Sequence, residues 1–203
     1  MNHLASAWHR AWSDLGLQPP DGLMDTLLKA HDEPHRRYHG RQHLAECLQH
    51  AEGARELAAH PGELVIALWF HDAVYDVRGH DNERRSADWA LQALRQAGAG
   101  NDTLRRVDGL IMATRHDAVP TEADERLLVD IDLAILGAPP ARFAEYDEQI
   151  RAEYSWVPGP IYRMKRRGVL RSFLERDPLY STQHFRNQLE AQARINLRGA
   201  CQA

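Results

Sequence analysis

The residues best suited to chemistry begin with an adjacent pair, His71-Asp72, directly after the most apolar stretch of the chain, Leu64-Val-Ile-Ala-Leu-Trp-Phe70. An imidazole and a carboxylate beside a buried segment are costly unless paired, hydrated or bound to a metal. Two readings follow: a metal-binding pair, or a polar helix terminus facing water. His43 stands beside the apolar positions Leu44 and Cys47. Downstream, Leu127-Leu-Val-Asp-Ile-Asp-Leu-Ala-Ile-Leu136 carries Asp130 and Asp132. At about 100° per residue of helix, its apolar side chains share one mean direction, with Asp132 near the centre of that face and Asp130 opposite. A carboxylate central on an apolar face needs a metal, an arginine or a helix N-terminus as its partner. Asp130 reads as a solvated residue or a helper behind the site.

The elements that must position these groups are helical nearly everywhere. Ala and Leu are plentiful, β-branched residues are sparse, and no stretch alternates long enough for a strand. The spacing predicts helices over 3–15, on the stripe Leu4, Trp8, Trp12 and Leu15, over 22–31, and over 40–59, with Leu44, Cys47, Leu48, Ala51 and Ala58 on one side. Pro61 suits the first position of a fourth helix, whose body is apolar all round and so belongs at the centre. Further helices are expected over 83–97, 102–114, 121–136, 140–154, 161–176 and 180–198. The expected fold is all-α, about ten helices in one compact domain over residues 1–203.

Composition excludes several classes. Apolar residues are 43% and charged residues 27% of the chain, which rules out bulk disorder. Cys47 and Cys201 lie far apart and form no zinc-finger or redox motif. A net charge of −4 argues against general nucleic-acid binding, though not against a local basic cleft. The N-terminal stretch lacks the pattern of a secretory signal. The longest apolar run, 64–70, falls far short of the roughly 20 residues of a membrane span. The expectation is a soluble, cytoplasmic protein with no membrane partner; its oligomeric state is left open.

The ordered set His43, His71-Asp72 and Asp132 resembles the signature of the HD superfamily of metal-dependent phosphohydrolases. More of the chain is similar to one uncharacterised bacterial branch of it: Arg37-Tyr-His-Gly-Arg-Gln-His43, Trp69-Phe-His-Asp-Ala-Val-Tyr75, Asp81-Asn-Glu83 with Ser86, and Val129-Asp-Ile-Asp-Leu-Ala-Ile-Leu-Gly137. Arg171-Ser-Phe-Leu-Glu-Arg176, Tyr180 and Ala193-Arg-Ile-Asn-Leu197 also fit. The resemblance covers about residues 20–198 and implies an HD-domain helical fold with His43, His71, Asp72 and Asp132 as metal ligands. Such a nitrogen and oxygen shell suits Mn²⁺, Fe²⁺, Co²⁺, Ni²⁺ or Zn²⁺ better than Mg²⁺. A bound divalent ion polarises a phosphoryl oxygen and lowers the pKa of a bound water from 15.7 towards about 7. The implied activity is hydrolysis of a phosphoester, most plausibly of a nucleotide. The alternative is a catalytically weak module that senses a nucleotide or a metal.

The resemblance also suggests assistants. Asp72 would bind metal and orient the attacking water. In the related guanosine tetraphosphate hydrolases an acidic pair follows the His-Asp dipeptide at plus three and plus four; here those positions are Tyr75 and Asp76, so only Asp76 matches. Asp76 is read as a general acid or base, or as a loop acid or cap. Glu83 is the competing acid, or a first-turn acid favoured by the helix dipole. His116 is assigned to substrate or to a supporting position, against a plain cation at a helix end, and His39 to the entrance. A phosphate needs cations that bind it in bidentate geometry. Arg37, Arg115, Arg151 and Arg166 are the candidates, each weighed against a surface ion pair. The run Arg163, Lys165, Arg166, Arg167 and Arg171 reads mostly as a solvated face, with a polyphosphate or RNA contact left open. The other histidines, His31 among them, are expected at the surface.

Overall fold

The computed structural model describes residues 3–202. The helical periodicities become α1 (His3–Asp14), α2 (Leu23–His31), α3 (Arg41–Gly53), α4 (Pro61–Phe70), α5 (Asn82–Gln96), α6 (Asn101–Ala113), α7 (Ala123–Asp132), α8 (Pro140–Glu153), α9 (Gly159–Leu174) and α10 (Gln183–Gln202). Among the described residues there is no strand, and no helix is long and apolar enough to cross a membrane. The chain divides into two compact units, residues 1–131 and 132–203.

In the first unit the apolar helix α4 is enclosed, as its lack of a polar face requires. Leu64, Ile66, Ala67, Leu68, Trp69 and Phe70 are all buried, and α1, α3, α5 and α6 pack around them. Trp8 of α1 meets Trp69 edge-on, with ring centroids 4.9 Å apart, and Trp12 stands 5.5 Å from Trp8. Removing a side chain of that size from a core costs about 3–5 kcal/mol. Gly62 permits the approach of α1: a Cβ there would lie 2.7 Å from Asp14 Cβ and 2.9 Å from the Ala11 carbonyl oxygen. The buried acid of α4, Glu63, accepts two hydrogen bonds from Arg106, at 2.6 and 2.7 Å, and one from Thr103 at 2.9 Å. A buried carboxylate so paired is tolerated where an unpaired one would not be.

Two expected helices end early, each for a reason the side chains supply. The helix foreseen over 40–59 stops at Gly53 and gives way to a 3₁₀ turn, Arg55–Leu57. Beyond it, the backbone N–H groups of Ala59 and His60 donate to the Asp124 carboxylate, at 2.8 Å each. The helix foreseen over 121–136 is α-helical only to Asp132 and tightens into a 3₁₀ segment, Leu133–Gly137. Ala138 N–H bonds the Ile135 carbonyl three residues back, at 3.1 Å, and Pro139 and Pro140, which lack an N–H, end the helical bonding there.

In the second unit that 3₁₀ segment lies along α10. The Tyr180 hydroxyl donates to the Leu133 carbonyl at 3.1 Å, and the Asn196 amide donates to the carbonyls of Leu136 and Ala138 at 2.9 Å each. The orphan carbonyls of the segment are thus satisfied in a buried place. Of the basic run on α9, Arg163, Lys165, Arg167 and Arg171 are exposed, as a solvated face requires, while Arg166 turns inward.

His31 departs from expectation. It is buried, not at the surface, because it continues the stripe Leu23–Leu27 at spacing four on α2. Its Nε2 donates to the Trp69 carbonyl at 3.3 Å. Burial, opposed in part by Asp72, lowers its pKa from 6.5 to about 4. The unfolded chain therefore takes up this proton before the fold does. The stability contributed by neutral His31 is complete above about pH 6.5 and drains away as pH falls towards 4, a loss on the order of 3 kcal/mol. Urea midpoints measured across that range are expected to fall less steeply for His31→Gln, which keeps a donor and does not titrate. Equal slopes for the two proteins would refute the assignment.

Candidate metal centre

Two helices deliver the nitrogen donors. α4 ends at His71, whose backbone N–H still bonds the Ala67 carbonyl at 2.8 Å, and the chain turns at once, Ala73 N–H reaching the Phe70 carbonyl at 2.8 Å. The turn exists because the helix must leave the core where its apolar run ends. His43 sits in the first turn of α3 on the buried side. The Nε2 atoms of His43 and His71 are 3.2 Å apart. Asp72 Oδ2 is 3.1 Å from His71 Nε2 and 3.5 Å from His43 Nε2. Donor atoms of His43, Cys47, His71 and Asp132 all lie within 4.8 Å of one another. Asp132 is the last residue of α7, a helix whose preceding turns belong to the first unit.

The protonation of this cluster can be followed atom by atom. His71 Nδ1 is 2.9 Å from the Leu68 carbonyl, which can only accept, so Nδ1 carries the hydrogen. In the neutral ring Nε2 is then left with a lone pair facing the cluster, the arrangement found in metal-bound histidines. Asp72 Oδ2 is buried and receives no hydrogen bond, although two ring nitrogens stand within 3.5 Å. A carboxylate oxygen held against a lone pair is repelled unless a cation joins them. With no cation present a protonated imidazole takes that part: burial pushes the Asp72 pKa up, but the positive charges of His71, then His39 and His43, and a hydrogen bond from His71 outweigh it and hold the group well below the usual carboxylate range. Ligands bound at 2.0–2.2 Å to one ion are separated by roughly 2.8–3.6 Å at octahedral or tetrahedral angles. The three measured separations fall inside that window, so the residues fit a divalent cation.

The backbone of the His-Asp turn is held by a residue that sequence reasoning passed over. Arg36 has a side chain only 1% exposed. Its guanidinium donates to the carbonyls of Asp72, Ala73 (3.0 Å) and His39 (3.2 Å) and pairs with Glu33 at 2.9 Å. It also lies 5.5 Å over the Tyr75 ring. Arg37, the neighbour singled out for phosphate, is exposed. Nothing in an Arg-Arg dipeptide within an irregular segment says which one turns inward. Cys47 was read only as a member of the apolar side of α3. The missed signal was its spacing: four residues after His43, one turn along the same face.

The remaining candidates scatter. His39 is half-buried, stacked on Tyr75 with ring centroids 4.3 Å apart and 6.0 Å from the His43 ring. A cleft of about 590 Å³ runs past Tyr75, His35, Asp76, Arg85 and Trp89. Asp76 is exposed and works in a turn: its carboxylate accepts the Arg78 N–H at 2.9 Å, and Asn82 bonds its backbone N–H and carbonyl at 3.0 and 2.9 Å. Glu83 occupies the first turn of α5. His116 follows α6 in a left-handed conformation, φ 57°, and Arg115 is exposed and 3.4 Å from Asp117. Arg151 donates to the carbonyls of Tyr154 and Val157 and lies over the Tyr162 ring; Arg166 pairs with Asp147 at 3.0 Å and lies over Tyr146. Both belong to the second unit. Asp130, for which a solvated position was one of two readings, is buried at 1% exposure. Asp130 lies in the α-helical part of the segment, and its burial depends on what packs against that face, which a wheel does not show.

The clamp generates a prediction. Arg36→Lys keeps a charge, but its single nitrogen carries three donors against the four bonds Arg36 makes and cannot spread them along a planar fork. Its affinity for Mn²⁺ or Zn²⁺ by calorimetry is expected to fall about 10–100-fold with the far-ultraviolet circular dichroism unchanged. Undiminished affinity would remove Arg36 from any positioning role.

Comparison of the chain with family models, with curated proteins and with solved structures gave no match.

Proposed function

We propose that this protein is a metal-dependent phosphohydrolase acting on a phosphoester of a small substrate, a nucleotide being the favoured class. The observation that carries the reading is the convergence of His43 Nε2, His71 Nε2 and buried Asp72 Oδ2 at mutual distances of 3.1–3.5 Å. His43, His71, Asp72 and Asp132 would hold the cation, one of Mn²⁺, Fe²⁺, Co²⁺, Ni²⁺ or Zn²⁺. When bound, it would neutralise phosphoryl charge and acidify water. The step from cation to phosphoester rests on the resemblance of the ordered motif to the HD superfamily, since a fold alone hosts many activities.

The chain's own residues supply the rest. The Leu68 carbonyl holds His71 in one tautomer, and the Arg36 clamp fixes the Asp72 backbone. The ionised Asp72 carboxylate can also accept a hydrogen bond from water and so orient it. His39 and Tyr75 present stacked rings beside the centre, a surface on which a base could lie. The second reading, a nucleotide- or metal-binding module without efficient turnover, is favoured by one observation: the Asp76 carboxylate is engaged in its own turn.

The test is phosphate release across a nucleotide panel with Mn²⁺, Co²⁺ and Ni²⁺, with metal content measured in parallel. His71→Ala and Asp72→Ala are expected to remain folded, to lose the metal, and to lose turnover at least about 100-fold. Full activity in a verified metal-free sample would end the metal mechanism. Saturable nucleotide binding with no phosphate released under any of the three cations would select the sensor.

A further inference from the structure

We infer that α9 docks the protein onto the surface of a bilayer bearing anionic headgroups, lying along it without crossing it. Among the described residues seven large apolar side chains are exposed, and four of them fall in one short stretch: Trp156 (49%), Ile161 (45%), Met164 (66%) and Val169 (48%). Exposed apolar residues scattered singly need no explanation, whereas a group of them marks a contact surface. The helix turns one stripe inward, Tyr162, Arg166, Leu170 and Phe173. At about 100° per residue, Ile161, Met164 and Gly168 point the opposite way. Arg163, Arg167 and Arg171, at spacings of four, border them on one side and Lys165 on the other.

The bland alternative is a solvated face. It accounts for the cations but gives Ile161 and Met164 no reason to stand between them. Charge favours an anionic occupant. α9 carries five basic residues and no acid, in a chain whose net charge is −4. Among the described residues, no carboxylate pairs with Arg163, Lys165, Arg167 or Arg171. A second copy seated on the same face about a two-fold axis would set these arginines against their counterparts. A nucleic acid would use the cations and could stack on Trp156, but it offers nothing to the apolar stripe between them. A headgroup layer answers both: apolar side chains enter the acyl boundary, Arg and Lys stems reach up to lipid phosphate, and tryptophan sits at the interface. The expectation of no membrane partner rested on the lack of a spanning run; a helix lying in the surface needs none.

The experiment is flotation of the full-length chain with vesicles of phosphatidylcholine alone and of equal parts phosphatidylcholine and phosphatidylglycerol. Binding is expected to the anionic vesicles only, and is expected to weaken as salt is raised. Two variants divide the contact, each checked for unchanged far-ultraviolet circular dichroism. One carries Arg163→Gln, Arg167→Gln and Arg171→Gln; the other carries Ile161→Ser and Met164→Ser. The first is expected to lose at least about tenfold in affinity, and the second about threefold or more. Equal binding to both kinds of vesicle, or to neither, overturns the inference, as does anionic binding that either variant leaves intact. A single-stranded RNA oligonucleotide and gel filtration, run in parallel, name the replacement. RNA bound without vesicle binding gives the face to a nucleic acid and ends the lipid reading. A dimer that the serine variant dissolves, without vesicle binding, gives it to a second copy and ends it equally. Should a variant not fold, brominated phosphatidylcholine in the anionic vesicles decides, with the parent and Trp156→Phe compared. Quenching of tryptophan emission in the parent that Trp156→Phe lacks supports the inference; quenching absent from the parent, or kept by Trp156→Phe, defeats it.

Discussion

Everything in the first unit answers to one constraint: α4 has no face that tolerates water. A helix apolar all round must be enclosed by neighbours, and α1, α3, α5 and α6 enclose it. The enclosure has an end. Where the apolar run stops after Phe70, the chain must turn out of the core, and the first two residues past the stop are His71 and Asp72. Polar donors are thereby delivered to the border of the most desolvated region of the unit. There, water competes poorly for a cation and electrostatic interactions are strong. The chemistry is a consequence of where an oily helix is forced to finish.

Much of this was legible in the residues, and the parts that were not share a cause. Helical spacing located α1, α2 and α4 to within a residue or two, because stripes such as Leu4–Trp8–Trp12 and caps such as Pro61 are local signals. The pairing of His43 with His71 came from an ordered motif and not from spacing, since nothing local ties α3 to α4. Arg36 could not be told from Arg37, because the segment between α2 and α3 is irregular and periodicity carries no information there. His31 is a different case. It follows Leu27 by four positions on its own helix, so it was within reach, but residue type distracted and it was assigned to the surface.

The end of α7 shows where a uniform helical wheel fails. The chain tightens into a 3₁₀ segment after Asp132, and Pro139 and Pro140, which lack an N–H, bring it to a stop. Tyr180 and Asn196 then take up the carbonyls of the tightened segment. Asp130, drawn on the outer side of an ideal helix, is inside although it belongs to the α-helical part; a wheel ranks a helix's own faces and does not show what packs against each of them.

The Arg36 clamp has one further consequence. Its bonds to the carbonyls of His39, Asp72 and Ala73, with the bond from the His71 ring to Leu68, are made by protein groups alone. The donors are marshalled by folding itself, unlike those of a zinc finger, where the ion is what organises the chain. A cation held there would be a tenant and not a keystone, its donors being placed by bonds that it does not make.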